Sequence, residues 1–295
     1  MKTLIKNGLL IDSANQVQAY LNLILEDGKV VAVTEEEPEA DRVIDATGKV
    51  VAPGFIDIHM HEDPVKDGKI EFCIFDAMLR MGVTTAVGGN CGINVYDPVK
   101  YLDMVEKDGA PVNVMLFAGH QYFREAAGAL DKYAPVTKEQ QEHMKKGLEK
   151  ALEAGCVGIS YGLRYVPGTG RDEFLDTASC CEKEHRMISA HVRDDEDRVF
   201  GAVAEVAEAG KLYNIPVQVS HIGSMAGFGQ MKQLLRQVDG YRMNGIDVAC
   251  DCYPYFAFST RIGATTYDDG WLERYHCDYS ACQLTEGKYK GQRCT

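Results

Sequence analysis

The residues of this 295-residue chain best suited to holding a metal are its eight histidines and ten cysteines. Five of them fall in short motifs of comparable kind. His59 and His61 form an H-x-H in FIDIHMH, directly after the turn dipeptide Pro53-Gly54. Cys91 lies in GGNCG, His191 in SAHVRDD and His221 in VSHIG. Imidazole nitrogen and thiolate sulfur are suitable zinc ligands. A β-strand points residues i and i+2 to one face, so His59 and His61 are expected to converge. A lone H-x-H is a weak signal and needs partners from elsewhere in the chain. The other histidines serve as a contrast. His143 and His185 fall in polar helical runs, His276 lies in an irregular tail, and His120 follows a strand, where a structural role is at least as well supported.

The elements that must position these residues are legible from hydrophobic period. Residues 1–53 read as short strands, with Asp27-Gly28 as the turn of a hairpin in YLNLILEDGKVVAV. From residue 54 onward, short apolar strands alternate with longer helical runs, the sign of βα units and a parallel sheet. Strands are expected at 55–61, 84–89, 113–119, 158–163, 187–192, 216–222 and 246–255. Helical runs such as KIEFCIFDAMLRMG, KEQQEHMKKGLEKALEAG and EDRVFGAVAEVAEAGKLYN lie between them. The spacing predicts an α/β fold, a (β/α)₈ TIM-type barrel with seven strands present and a small N-terminal β-segment. Catalytic residues of such barrels sit at the C-terminal strand ends, which is where all five candidate ligands fall.

Composition narrows the classes. Hydrophobic residues make up 45% and charged residues 25%, an ordinary globular balance. A net charge of −13 argues against a basic field for nucleic acid or anionic membrane. MKTLIKNGLLID carries no apolar targeting segment and no run nears 18 apolar residues, so the expectation is cytoplasmic, with reduced and mostly buried thiols.

Taken together, the PGFID-HxH turn with histidines on strands five and six resembles the amidohydrolase superfamily. GNCG, GISYGLRYVPG, AHVRDD, VSHIG and DCYPYFAFST are similar to motifs of the N-acyl-D-amino-acid deacylases, also called D-aminoacylases. The resemblance implies that residues 1–53 form half of a small β-sandwich and residues 54–295 an incomplete metal-dependent hydrolase barrel. It implies zinc held tightly by Cys91, His191 and His221, with His59 and His61 at a second, weaker position. The strand-four end GISYGLRY has no lysine to bridge two metals, and Cys91 stands in its place. Hydrolysis of N-acyl-D-amino acids by metal-bound hydroxide, giving a carboxylate and a free D-amino acid, is the implied reaction. Tyr165, Arg193, Tyr253 and Ser259 are the implied substrate contacts, with Arg261 as another candidate cation. The chain reads SHIG where many relatives read SHHK, so Gly223 supplies no lysine charge. The family's acid/base aspartate on strand eight is expected beyond Thr295. Asp57 is expected to support a histidine ligand and Asp251 the pocket floor.

Two alternatives stay open. One is another metal-dependent amide hydrolase or deaminase, acting on a cyclic amide or a D-dipeptide. The other is a catalytically inactive metal-binding fragment that lacks the acid/base and self-associates through open barrel edges.

Overall fold

In the computed structural model, which describes residues 1–295, the chain forms two compact units, Met1–Phe55 and Ile56–Thr295. The first unit holds seven strands, β1 (Lys2–Lys6), β2 (Leu9–Asp12), β3 (Val17–Tyr20), β4 (Asn22–Glu26), β5 (Lys29–Thr34), β6 (Arg42–Asp45) and β7 (Val50–Val51). They form a four-stranded sheet in the order β5-β4-β1-β6 and a three-stranded sheet in the order β3-β2-β7. The β4–β5 hairpin turns on Asp27 and Gly28, both at positive φ (50° and 76°), as a two-residue primed turn requires. Leu4, Leu10 and Ile24 are buried in this unit.

The larger unit is built on β8 (Phe55–Asp57), β11 (Val83–Gly88), β12 (Asn113–Gly119), β13 (Gly158–Gly162), β14 (Met187–His191), β15 (Val217–Val219) and β16 (Val248–Cys250). A short ribbon of β9 (Val65–Lys66) and β10 (Lys69–Ile70) intervenes after β8. The seven strands lie side by side in chain order, from β8 at one edge to β16 at the other. Every registered pairing from β11 to β16 is parallel. Helices α1 (Ile74–Arg80), α2 (Pro98–Asp108), α3 (His120–Ala126), α4 (Lys138–Glu153), α5 (Arg171–Ala178), α6 (Val199–Tyr213), α7 (Ile222–Met225), α8 (Met231–Met243) and α9 (Trp271–Arg274) follow or connect the strands. All five residues of β13 and all three of β15 are buried, because a parallel sheet needs both faces covered.

Local chemistry sets the helix limits. Asp97 accepts the Lys100 amide ahead of Pro98 at the start of α2, and Thr137 forms a reciprocal capping box with Gln140 on α4. The expected helix over KIEFCIFDAMLRMG begins later than its apolar pattern suggests. Buried Asp63 accepts the amides of Cys73, Ile74 and Phe75, which fixes the first turn of α1 there.

The strands that deliver the candidate ligands are shorter than expected. β8 ends at Asp57, so His59 and His61 lie beyond the strand. Strands β15 and β16 span three residues each and leave the sheet before His221 and Asp251. No helix is long and apolar enough to cross a membrane.

Candidate metal centre

Cys91, His191 and His221 come together at the ends of three strands, and His59, His61 and Cys91 form a second group around the same sulfur. Within each group the ligand atoms all lie within 4.8 Å of one another. Cys91 Sγ is 3.5 Å from His59 Nε2 and 3.6 Å from His221 Nε2. The imidazoles of His191 and His221 stand edge to face with ring centres 4.4 Å apart. The five residues line one cavity of about 810 Å³.

Cys91, His221 and His59 are each held by specific neighbours. Cys91 takes a left-handed conformation (φ 57°) between Gly89 and Gly92, which are also left-handed. A side chain at Gly89 would meet the Phe117 carbonyl at 2.3 Å, and one at Gly92 would meet the Gly162 amide at 2.8 Å. The GNCG turn is therefore wedged against its neighbours and tolerates only glycine at these two places. Buried Glu62 accepts the Gly89 amide at 2.7 Å, the Val95 amide at 3.1 Å and the Asn94 side chain at 3.2 Å. Ser160 accepts the Gly92 amide and donates to the Gly89 carbonyl. Asn90 donates to the carbonyls of Ile58, Met60 and Val87 and accepts from Ser189, which itself pairs with Ser220.

His221 is left-handed as well (φ 34°). Its amide donates to Asp251 Oδ1 at 2.6 Å, and Ser224 Oγ lies 3.2 Å from its Nδ1. The same Asp251 oxygen is 3.2 Å from His59 Nδ1, while Gln218 donates to the other oxygen at 2.8 Å. Asp251 follows β16 and His59 follows β8, so the two edge strands of the sheet meet through this contact. The sheet must curl for that to happen.

Charge follows the packing. Burial holds the imidazolium pKa of His221 down to about 4, helped by the neighbouring His59 charge. His191 is driven well below its ordinary value by burial and then by His221, His59 and Arg164. Burial also opposes a charge on His59, but Asp251 and Cys91 outweigh it and raise that group to about 10. Asp251 is held below the usual carboxylate range: burial would raise it, and His59, Gln218 and the His221 amide more than offset that.

These residues fit a metal. Both ring nitrogens of His191 are buried without a hydrogen-bond partner, a costly arrangement unless one nitrogen binds something. A thiol among largely neutral imidazoles is a zinc-type donor set, and the carboxylate behind His59 is the customary outer support of a ligating histidine.

Residues 42–162 match the sequence pattern described as the Amidohydrolase family. Residues 42–162 belong to that family. It is 31% identical over 283 residues to the N-acyl-D-glutamate deacylase of Alcaligenes xylosoxydans xylosoxydans, covering 87% of this chain and 57% of that protein. The D-aminoacylase of the same organism is 28% identical, covering 88% and 58%. A crystal structure of N-acyl-D-glutamate deacylase from Bordetella bronchiseptica, complexed with zinc and a phosphonate inhibitor that mimics the tetrahedral intermediate, superposes with a TM-score of 0.75. It is 30% identical, with 86% of this chain and 58% of that one covered. A D-aminoacylase structure, 24% identical, shares the fold with a TM-score of 0.82 over 99% of this chain and 65% of its own. The chain thus spans just over half the length of the curated relatives it matches.

In this chain, Tyr165, Tyr253 and Ser259 line the same cavity as the candidate ligands. Tyr165 lies over His191 with ring centres 4.4 Å apart. Arg193 does not join them. Its guanidinium makes a two-pronged pair with Glu205 (3.0 and 2.8 Å) and donates to the Thr169 carbonyl at 2.8 Å, on a different cavity. The strand ends at His191, so Arg193 lies beyond it, where alternation along the pleat no longer sets the side chain's direction. His120 is also turned aside, in a buried cluster with Glu173 and Arg124. Asp57 accepts the backbone amide of His59 at 3.0 Å, and it is Asp251 that faces the ring. No aspartate or glutamate lines the cavity. The roles of Glu62, Asn90 and the three serines were not drawn from the sequence, although the serines of GISYG, ISAH and VSH lie in or just after three successive strands.

Proposed function

We propose that this chain binds zinc through Cys91, His191 and His221, that His59 and His61 with Cys91 form a second and weaker position, and that the site hydrolyses N-acyl-D-amino acids. The observation that carries the reading is the meeting of five nitrogen and sulfur ligands from four strand ends in one cavity. Burial supports the ranking of the two positions. Cys91 and His191 are buried beside half-buried His221, whereas His61 is exposed at the rim. Zinc bound there supplies a Lewis acid that polarises a carbonyl and acidifies water at neutral pH. The protein's own part is positional. His191 and His221 present neutral nitrogens, and Asp251 orients the His59 ring. Burial keeps the Tyr165 hydroxyl protonated, so it can donate to an oxygen in the cavity without ionising. The contact between His59 and Asp251 favours reading the curled sheet as the wall of a (β/α)₈-type barrel.

The D-configuration is carried by the names of the relatives and by nothing in the geometry. The test is to load the purified chain with zinc and incubate it with paired N-acetyl-D- and N-acetyl-L-amino acids, measuring free amino acid by chiral chromatography. D-selective release that disappears together with bound zinc in Cys91→Ala supports the proposal. Zinc content unchanged by that substitution sinks it. A second reading is metal binding without efficient turnover, favoured by the lack of a carboxylate on the cavity wall. A missing general acid/base lowers rate by about 10²–10⁴, so zinc binding with only residual hydrolysis is its signature.

A further inference from the structure

The acidic turn that follows His191, Asp194 to Asp197, does no work in the reaction proposed above, yet it is tied to the segment that walls the outer cavity. Asp195 is 2% exposed. Its Oδ2 accepts the Tyr275 hydroxyl at 2.5 Å, and its Oδ1 lies 3.1 Å from Arg274 Nε. Arg274 in turn donates to the Thr266 carbonyl at 2.6 Å. The Tyr275 ring lines the cavity and stacks on Phe228 with centres 5.3 Å apart. A second tie runs from the strand-four turn: Thr265 Oγ1 donates to the Arg164 carbonyl at 2.6 Å, and Arg164 pairs with Asp194 at 3.6 Å.

We propose that Asp195 is a positioning residue, which clamps the segment 264–276 so that Tyr275 forms a fixed wall of the cavity that the candidate ligands line. The reasoning is one of cost and geometry. A buried carboxylate is costly unless paired, and both oxygens of Asp195 are directed at this one segment: Oδ2 accepts the Tyr275 hydroxyl, while Oδ1 makes an ion-pair contact with Arg274 Nε that lacks hydrogen-bond geometry. The other side-chain hydrogen bonds to the segment reach its first half, Thr265 from Arg164 and Asp268 from Tyr133, whereas Asp195 holds its end at Arg274 and Tyr275. The segment's own secondary structure is a single 3₁₀ turn (Thr265–Tyr267) and the four-residue α9, too short to be stable alone. His191 and Asp195 stand four residues apart, so the turn that ends β14 delivers a ligand inward and an anchor outward. The wall matters for substrate fit, and the inference to that extent rests on the hydrolase reading.

The experiment compares wild type, Asp195→Asn and Tyr275→Phe as zinc-loaded full chains. Tyr275→Phe keeps the ring and removes only the hydroxyl, so it serves if Asp195→Asn folds poorly. Amide hydrogen exchange is followed by mass spectrometry, alongside zinc content and the kinetics of acyl-amino-acid hydrolysis. The expected result is exchange at least tenfold faster in peptides spanning 264–276 for both variants, with β14, β15 and zinc content as in wild type. KM is expected to rise at least threefold with kcat changed less, and the double variant to be no worse than Asp195→Asn. Unchanged exchange at 264–276 overturns the proposal. So does acceleration spread equally over β14 and β15, or loss of zinc, since either marks a general folding role. If wild type hydrolyses no acyl-amino acid, the hydrolase reading fails by itself, and the exchange data alone decide the role of Asp195.

Discussion

Replacing Asp251 probes the centre where its support is most concentrated. One carboxylate oxygen receives the His221 amide at 2.6 Å and lies 3.2 Å from His59 Nδ1, while the other receives Gln218 at 2.8 Å. Asp251→Asn keeps an oxygen for the His221 amide and removes the charge facing His59. Loss of such an outer partner typically weakens metal affinity by about 10–100-fold, or about 1.4–2.8 kcal/mol. Asp251→Ala removes the acceptor too. The left-handed His221 is then left with an unpaired amide, a further cost of about 1–3 kcal/mol. The expected ordering is therefore wild type, then Asn, then Ala, for both zinc affinity and thermal stability. Competition with a chromophoric chelator measures the first and calorimetric melting the second. Zinc affinity of Asp251→Asn within twofold of wild type would refute the support role. Equal melting of the Asn and Ala variants would refute the claim that the His221 amide depends on this oxygen.

Further outcomes follow from the same contacts. Glu62→Gln, which turns an amide donor toward the Gly89, Val95 and Asn94 donors, should destabilise the chain by about 2–3 kcal/mol in urea unfolding and lower zinc content; unchanged stability would argue against the turn's dependence on Glu62. In chelator, His59 contributes stability in full below pH 6.5 and loses it as pH rises from there toward about 10, so melting temperature should fall across that window, and less steeply in Asp251→Asn. Burial pushes the thiols of Cys156 and Cys181 up to about 12, so brief alkylation at pH 8 should modify exposed Cys252 and spare both; equal labelling in peptide maps would contradict their burial. Without metal, Cys91→Gly should be more stable than Cys91→Ala by about 1 kcal/mol, the reverse of the usual order, because φ at this position is +57°.

The parts of the fold set by hydrophobic period were legible in the sequence. β12 covers the residues expected of it, and α4 spans most of its helical run, since both follow from unbroken local patterns. What period does not encode is where a strand stops. VSHIG and DCYPY read as continuous β, but the strands end at Val219 and Cys250, where His221 turns into the left-handed region and its amide donates to the Asp251 side chain just past the adjacent strand in place of a ladder carbonyl. Arg193 shows the same limit. Its charge suited an anionic substrate, yet Glu205 on α6, twelve residues later, takes it. Ion pairs of this kind depend on which way a turn leaves the strand, and the sequence pattern is silent on that.

Two of the five candidate ligands have strained backbones. Cys91 and His221 both lie in the left-handed region, where a non-glycine residue costs about 1–3 kcal/mol. Each is surrounded by groups that over-determine its position. Glu62, Ser160 and Asn90 hold the turn around Cys91, and Asp251 and Ser224 hold His221. An ordinary strand end would let these side chains follow the pleat and diverge. The left-handed turn instead swings Sγ and Nε2 to within 3.6 Å, at the price of strain that buried hydrogen bonds offset. Such strain has no packing benefit of its own. It makes physical sense as pre-organisation of two donors for a third species between them, which is why the backbone supports the metal proposal independently of residue type.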